Sequence, residues 1–278
     1  MSRLVETPVR DNVTVFTLGG EEIASSYGAN CTAILGSGAT LLVDPLIAPA
    51  HARLVEEALA ARSAPPVRYV VLTHHHTDHA LGSSWFARRG AVVIAHDQCR
   101  AGMEQHHAAL IAERRRDPAL RDLFADAESL PPTVLFSDGV TFDLGGVEAR
   151  VIHTGHGHTR GDAIVHLAAE SLAVCGDLVS NGYHVNLEDA SMEGFARGLA
   201  RLLSLGARTY VPGHGAPGSA KIVETQERYF SLVSSMVAEG SAAQRSEREI
   251  CEDLRRRFPG LHLELVLPET VRRFSAAD

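Results

Sequence analysis

Residues 72 to 82 read LTHHHTDHALG, and four histidines and one aspartate fall within the six positions 74 to 79. Side chains of these types at that density either decorate a polar loop or hold a metal. His74 and His76 are two residues apart, so in an extended segment their side chains share one side while His75 faces the other. Asp78 and His79 follow where the chain turns into a helix, a position at which Asp78 also has the simpler reading of an N-cap. His75 is expected beside the set, as a supporting or solvent-facing residue. Three further segments carry the same chemistry: HTGHGHTRGD (153 to 162), CGD (175 to 177) and PGHG (212 to 215). Each is preceded by a short apolar run, ARVI before HTGHGHT, LAVC before GD and TYV before PGHG, as VRYVVL precedes THHHTDH. Strand ends in layered α/β proteins are where loops converge on a rigid scaffold. Four polar loops at four such ends, all bearing metal-ligand side chains, favour a metal site over decoration.

The elements that would position these loops alternate along the chain. VTVFTL (13 to 18), CTAIL (31 to 35) and TLLVD (40 to 44) are expected as strands between Gly-rich turns. APAHARLVEEALAAR (48 to 62) has helical spacing and stops before Pro65-Pro66. VRYVVLT is a buried strand, ALGSSWFARRG a short helix with Trp85 and Phe86 in the core, and AVVIAH (91 to 96) another strand. This β-α-β order indicates a layered α/β protein. Residues 97 to 130 are charged and expected to be helical, with Met103, His107, Leu110 and Ile111 on one face. That segment is either a lid over the site or a surface insertion, and its apolar side is a possible homodimer contact; His106 and His107 are expected as solvated or packing residues. Strand signals return at TVLF, VTFDL, VEARVIHT, AIVHLAAE and LAVCGD, then a helix over 191 to 205 and the strand RTYVP. The tail from 219 to 278 is expected as two helices with LHLELVL as a short strand.

Composition narrows the classes. The 278 residues are 45% apolar, enough for a sizeable core. A net charge of −8 without any Lys/Arg-rich run argues against nucleic-acid and anionic-membrane partners and leaves a small-molecule substrate. The start MSRLVETPVRDNVTVF lacks the apolar core of a signal peptide, and no stretch reaches the length of a membrane span. Cys31, Cys99, Cys175 and Cys251 are scattered without a CxxC, so reduced thiols and a cytoplasmic location are expected, with Cys175 a small buried residue on its strand.

Taken together, the motifs resemble those of the metallo-β-lactamase-fold hydrolases, and specifically the glyoxalase-II-like subgroup. The family's H-x-H-x-D-H loop is matched by His74, His76, Asp78 and His79, and the later landmarks follow in order as His158 in GHTRGD, Asp177 in CGDLV and His214 in PGHG. Asp44 in LLVDP matches an early aspartate that supports the metal loop without binding metal. The resemblance covers residues 12 to 218 and implies an α/β fold, a four-layer αββα sandwich with the metals at one edge between the sheets. Residues 1 to 218 would form that domain, with 97 to 130 as a helical insertion, and 219 to 278 a mostly helical extension packed on it. Carried over, His74, His76 and His158 would hold one metal, and Asp78, His79 and His214 a second, with Asp177 bridging. Such donors suit two zinc ions, with iron or manganese as alternatives. His156 is an alternative ligand or a supporting contact, His153 is expected to be structural, and Asp162 to orient the ligand loop by hydrogen bonding.

The resemblance also points to a reaction. Zinc β-lactamases generally carry Cys or Ser where Asp177 stands, whereas glyoxalase-II-like thioesterases, lactonases and phosphodiesterases use a bridging aspartate. A hydroxide shared by two metals would attack a thioester, ester or lactone carbonyl. Asp78 would act through its metal, and Tyr183 and His184, in VSNGYHVN, are candidate catalytic residues that hydrogen-bond a carbonyl or protonate a leaving group. Asn181, Tyr27 and Asn30 are weaker candidates for substrate contact. Rival readings are a mononuclear-iron persulfide-dioxygenase-like enzyme, a β-lactamase-type amide hydrolase and a non-catalytic metal-binding accessory protein.

Overall fold

A computed structural model describes residues 3–275. Twelve strands form two sheets, and their apolar residues sort by the two-residue period of a strand. The first sheet runs β1 (Val5–Arg10), β2 (Val13–Thr17), β3 (Asn30–Leu35), β4 (Thr40–Val43), β5 (Val67–Val71), β6 (Val92–His96), β7 (Val134–Phe136), in that spatial order. It is antiparallel up to β4 and parallel from β4 to β7. The second holds β8 (Gly139–Asp143), β9 (Glu148–His153), β10 (Ala163–Leu167), β11 (Leu172–Val174) and β12 (Thr209–Val211), antiparallel except for the β11–β12 pair.

Alternate residues decide the layers. Val13, Val15, Leu41, Val43, Val71 and Ile94 face Val151, Val165, Leu172, Val174 and Val211 of the second sheet, and this inter-sheet core is buried. Their neighbours Phe16, Leu42, Val70, Leu72 and Val93 point outward onto α1 (Pro49–Ala61), α3 (Ser83–Ala87) and the start of α4 (Asp97–Arg116). On the far side, Ile152, Ile164, Ala173 and Tyr210 meet α5 (Met192–Ser204), α6 (Ala220–Ala242), α7 (Glu247–Arg257) and α8 (Leu267–Ser275). The result is the four-layer αββα arrangement that the family resemblance implies. No helix of the described residues is long and apolar enough to cross a membrane.

Several elements differ from expectation, each for a local reason. β1 was not anticipated: VETPVR contains a proline and charges and is exposed on both faces, as an edge strand can be. The segment after the metal loop is two short helices, α2 (Thr77–Ala80) and α3, joined at Gly82, where a Cβ would lie 1.9 Å from the Pro45 carbonyl oxygen. The insertion is helical only to Arg116, before Pro118; the remainder is turns that drop Phe124 into a cluster with Ile47, Leu81 and Ile111. On the apolar side of α4, Met103 and Ile111 are buried within the chain. LHLELVL is not a strand: Leu263 adopts a left-handed φ of 61°, a 3-10 turn follows at Glu264–Val266, and a third tail helix, α8, begins. Its one strand-like contact is a bridge from His262 to Tyr183.

Candidate metal centre

The site lies at the C-terminal ends of β4, β5, β9, β11 and β12, all at one edge of the sandwich. Asp44 follows β4 and fixes the start of the metal loop. Its Oδ1 accepts from Thr73 N–H at 2.8 Å, and its Oδ2 accepts from the Thr73 hydroxyl at 2.6 Å and from His79 Nδ1–H at 3.1 Å. Asp44 has φ 56°, a left-handed conformation that aspartate adopts more readily than most residues. Both its oxygens are thereby engaged in holding the loop, the supporting role expected of it.

Partners behind the imidazoles decide which nitrogen each presents. Since the Thr73 hydroxyl gives its proton to Asp44, its oxygen accepts from His74 Nδ1–H at 2.9 Å, and His74 Nε2 keeps its lone pair. His76 donates from Nε2–H to Asp189 Oδ2 at 3.0 Å, which turns Nδ1 inward. His79 donates from Nδ1–H to Asp44, and His214 from Nδ1–H to the Tyr27 carbonyl at 3.0 Å. Four imidazoles are thus turned so that their basic nitrogens face one another. His158 joins them with Nε2 only 2.8 Å from His76 Nδ1. Its own loop is set by Asp162, whose carboxylate accepts from His158 N–H at 2.6 Å and from Thr159 N–H and Oγ1–H at 2.8 and 2.7 Å. That is the orienting role expected of Asp162.

Donor atoms collect into two groups. One atom each of His74, His76, His158 and Asp177 lies within 4.8 Å of the others, and the same holds for Asp78, His79 and His214. Asp177 stands between them: Oδ2 is 3.5 Å from His158 Nε2 and 3.3 Å from His214 Nε2, while Oδ1 is 3.2 Å from His79 Nε2. His79 Nε2 and His214 Nε2 are 3.3 Å apart. His74 Nε2 and Asp177 Oδ1 are buried with no hydrogen-bond partner. Buried lone pairs aimed at one another and at carboxylates are costly unless a cation satisfies them, so the residues present fit metal ions.

Electrostatics agree with the geometry. Burial opposes charge on Asp177 and Asp78, yet His79 and His214 hold both carboxyls well below their ordinary range. Burial likewise opposes a charge on His214, but Asp177 and Asp78 raise it to about 9, and His79 is also held well above its usual value. Without a cation, protons on these two imidazoles are what balances the carboxylates. In the other group, burial and neighbouring imidazoles push His74 well down and His158 to about 3, so both present neutral nitrogens.

A cavity of about 420 Å³ opens on this cluster, with Asp78, Asp177 and His214 in its wall. α4 supplies one side through Gln105, His106, Leu110 and Arg114, and the turn at Leu263, Leu265 and Val266 supplies another. The helical part of the insertion thus lines the cavity. Arg114, with Nη1–H donating to Thr77 Oγ1 at 2.9 Å and its guanidinium over Phe124, had no motif to mark it. Nor had Asp189, a lone carboxylate in a loop.

The remaining candidates have varied places. His184 lines the cavity, shares Nδ1 with the Tyr229 hydroxyl at 2.9 Å and is held neutral by burial, which lowers it to about 4. Tyr183 is outside the cavity wall, its hydroxyl donating to the Gly20 carbonyl at 3.2 Å. Asn181 and Asn30 brace the loop that carries His214, through Ala216 O, Pro212 O and Gly215 O. Tyr27 lines the cavity. His156 donates to the Asp189 carbonyl at 2.7 Å and does not join the cluster, and His153 stacks on His96. Cys175 and Phe86 are buried.

Comparison with known proteins gives the class. The family described as the metallo-β-lactamase superfamily matches residues 26–214. The chain belongs to that superfamily and is a hydrolase of its fold. A hydroxyacylglutathione hydrolase of Methylococcus capsulatus is 30% identical over 261 residues, covering 86% of this chain and 90% of the relative. An atrochrysone carboxyl ACP thioesterase of Aspergillus fumigatus is 28% identical over 214 residues, 77% of this chain but only 59% of that longer protein. Among solved structures, a metallo-β-lactamase from Pontibacter korlensis superposes with a TM-score of 0.64 at 22% identity, covering 81% of this chain and 98% of that one. The DIM-1 metallo-β-lactamase gives 0.61 at 18% identity over 81% and 95% of the two chains. These last two speak to the fold.

Proposed function

We propose that the chain is a two-metal hydrolase of small thioesters, with activated esters and lactones as the neighbouring class. The observation that carries this reading is the position of Asp177 between two groups of inward-facing donors. His74, His76 and His158 would hold one ion and Asp78, His79 and His214 the other, with Asp177 common to both. Two zinc ions bound there would supply Lewis acidity and a hydroxide at neutral pH.

The chain's own residues bear on which carbonyl compound is cleaved. Asp44, Asp189 and the Tyr27 carbonyl hold the ligand imidazoles in the tautomers that coordinate, so little reorganisation accompanies binding. His184, neutral in the cavity wall, serves as a hydrogen-bonding contact and is a poor proton donor at neutral pH. Tyr183, its proton committed to Gly20, supports the loop beside His214. With His184 neutral and the Tyr183 proton committed, neither of these two residues is poised as an acid, which favours a leaving group that departs as a stable anion, and a thiolate does so where an amine does not. Relatives named as a hydroxyacylglutathione hydrolase and an ACP thioesterase support the same class.

The test is metal content by elemental mass spectrometry on protein purified without chelators, followed by a thioester, lactone and β-lactam panel. Close to two zinc per chain and turnover of thioesters are expected. One iron with little zinc, and oxygen uptake on a persulfide, would overturn the reading. Asp78→Ala should lower the metal content by one and remove most thioester hydrolysis; retention of both metals and full rate would sink the ligand assignment.

A further inference from the structure

His75 and the His106–His107 pair take no part in the two donor groups, yet the fold brings them together. His107 Nε2–H donates to the His75 carbonyl, and its Nδ1 accepts from the Ser129 hydroxyl at 2.8 Å, so α4 is tied to the backbone of the metal loop. Gly102 makes the approach close: a Cβ there would lie 2.5 Å from the His75 ring, so a glycine inside α4 is what lets that ring lie against the helix. His106, one turn further along α4, stacks on His75 with ring centroids 5.5 Å apart and planes at 26°. Across the cavity, Asp189 Oδ2 is 3.4 Å from His75 Nε2.

From these contacts we infer that His75, His106 and Asp189 form a further metal site, for a borderline divalent cation such as zinc, at the wall of the cavity. One donor atom of each lies within 4.8 Å of the other two, and all three line the cavity. They come from three separate segments: the metal loop, α4 and the loop before α5. Two imidazoles and one carboxylate are a donor set that binds zinc and leaves a position for water or another ligand. Mutual hydrogen bonding accounts for the cluster less well. The His75–Asp189 separation of 3.4 Å is long, Asp189 Oδ2 already accepts from His76, and stacked rings do not bond to each other through their edges. The site is weaker than the inner pair because it shares Asp189 with His76. Filling it loosens the carboxylate's hold on an inner ligand, so occupancy of the outer site tunes the inner one.

The experiment is equilibrium dialysis of the full chain against zinc buffered at rising free concentration, with zinc per chain counted by elemental mass spectrometry. The wild type should take up one more equivalent in the micromolar range than His106→Ala. His106 is partly exposed on a helix, where alanine is well tolerated, so that variant folds. His166→Ala, on β10 away from the cavity, should retain the extra equivalent. Equal uptake by wild type and His106→Ala, or loss in His166→Ala to the same degree, overturns the proposal. The readout is a difference of one, so it stands apart from how many ions the inner groups hold and from which substrate is cleaved.

Discussion

Asp44 does not line the cavity and stands outside both inner donor groups, yet it decides what His79 presents to the site. Its carboxylate accepts three hydrogen bonds, two from Thr73 and one from His79 Nδ1–H. Asn in its place keeps the size but turns one acceptor oxygen into a donor. One of the three partners then faces an N–H, and the cheapest relief is for His79 to change tautomer and turn its proton inward. Asp44→Asn should therefore lose metal affinity about 10–100-fold in the group of Asp78, His79 and His214. Chelator competition on the purified variant reads this directly; unchanged affinity would mean that His79 is oriented by packing alone. The clustered donors themselves were legible in the sequence because His74 to His79 lie side by side and the other motifs follow strands. Their holders were less so: Asp189 and the Tyr27 carbonyl are remote in sequence and have unremarkable types, and a backbone carbonyl has no signature at all.

At the scale of elements, legibility followed the strength of the local period. β9 alternates exposed Glu148 and Arg150 with buried Ala149 and Val151, and β5 ends in the buried pair Val70 and Val71, so both stood out in the sequence to within about two residues at each end; β1 buries neither face, and LHLELVL alternates but has almost nothing to pair with. The junction of α2 and α3 sets propensity against packing. Gly82 has φ −64° and ψ −15°, which alanine adopts freely, so the reduced freedom of the unfolded chain alone favours Gly82→Ala by about 0.4–1 kcal/mol. A Cβ at that point would be 1.9 Å from the Pro45 carbonyl oxygen, and backbone on both sides has to move. Packing wins: Gly82→Ala should destabilise by about 1–3 kcal/mol and shift α2, which carries Asp78 and His79. A lower Tm together with weaker metal retention is expected; a Tm at or above wild type would show that the loop after β4 gives way easily.

The whole molecule places a cluster of carboxylates and imidazoles where two sheets meet, and its stability should depend on what balances that charge. In chelated protein the balance falls to protons on His214 and His79. Burial works against these charges, but Asp177 and Asp78 raise His214 to about 9 and hold His79 well above its ordinary value. A histidine with a folded pKa above its unfolded value of about 6.5 binds its proton more tightly when folded. Its contribution is fully present below pH 6.5 or so and is lost as pH rises through about 9. Metal-free protein should thus lose on the order of 1–3 kcal/mol between those limits, a fall of several degrees in Tm for a chain this size. The metal-loaded protein should be more stable throughout and nearly flat over the same range, because bound cations replace the protons and bind only the folded state. Thermal melts of both forms across that pH range check this. Parallel curves would mean that the carboxylates at the site are balanced by something other than the imidazoles of His79 and His214. A steeper fall in the loaded form would mean that the cluster is not the place where metal binds.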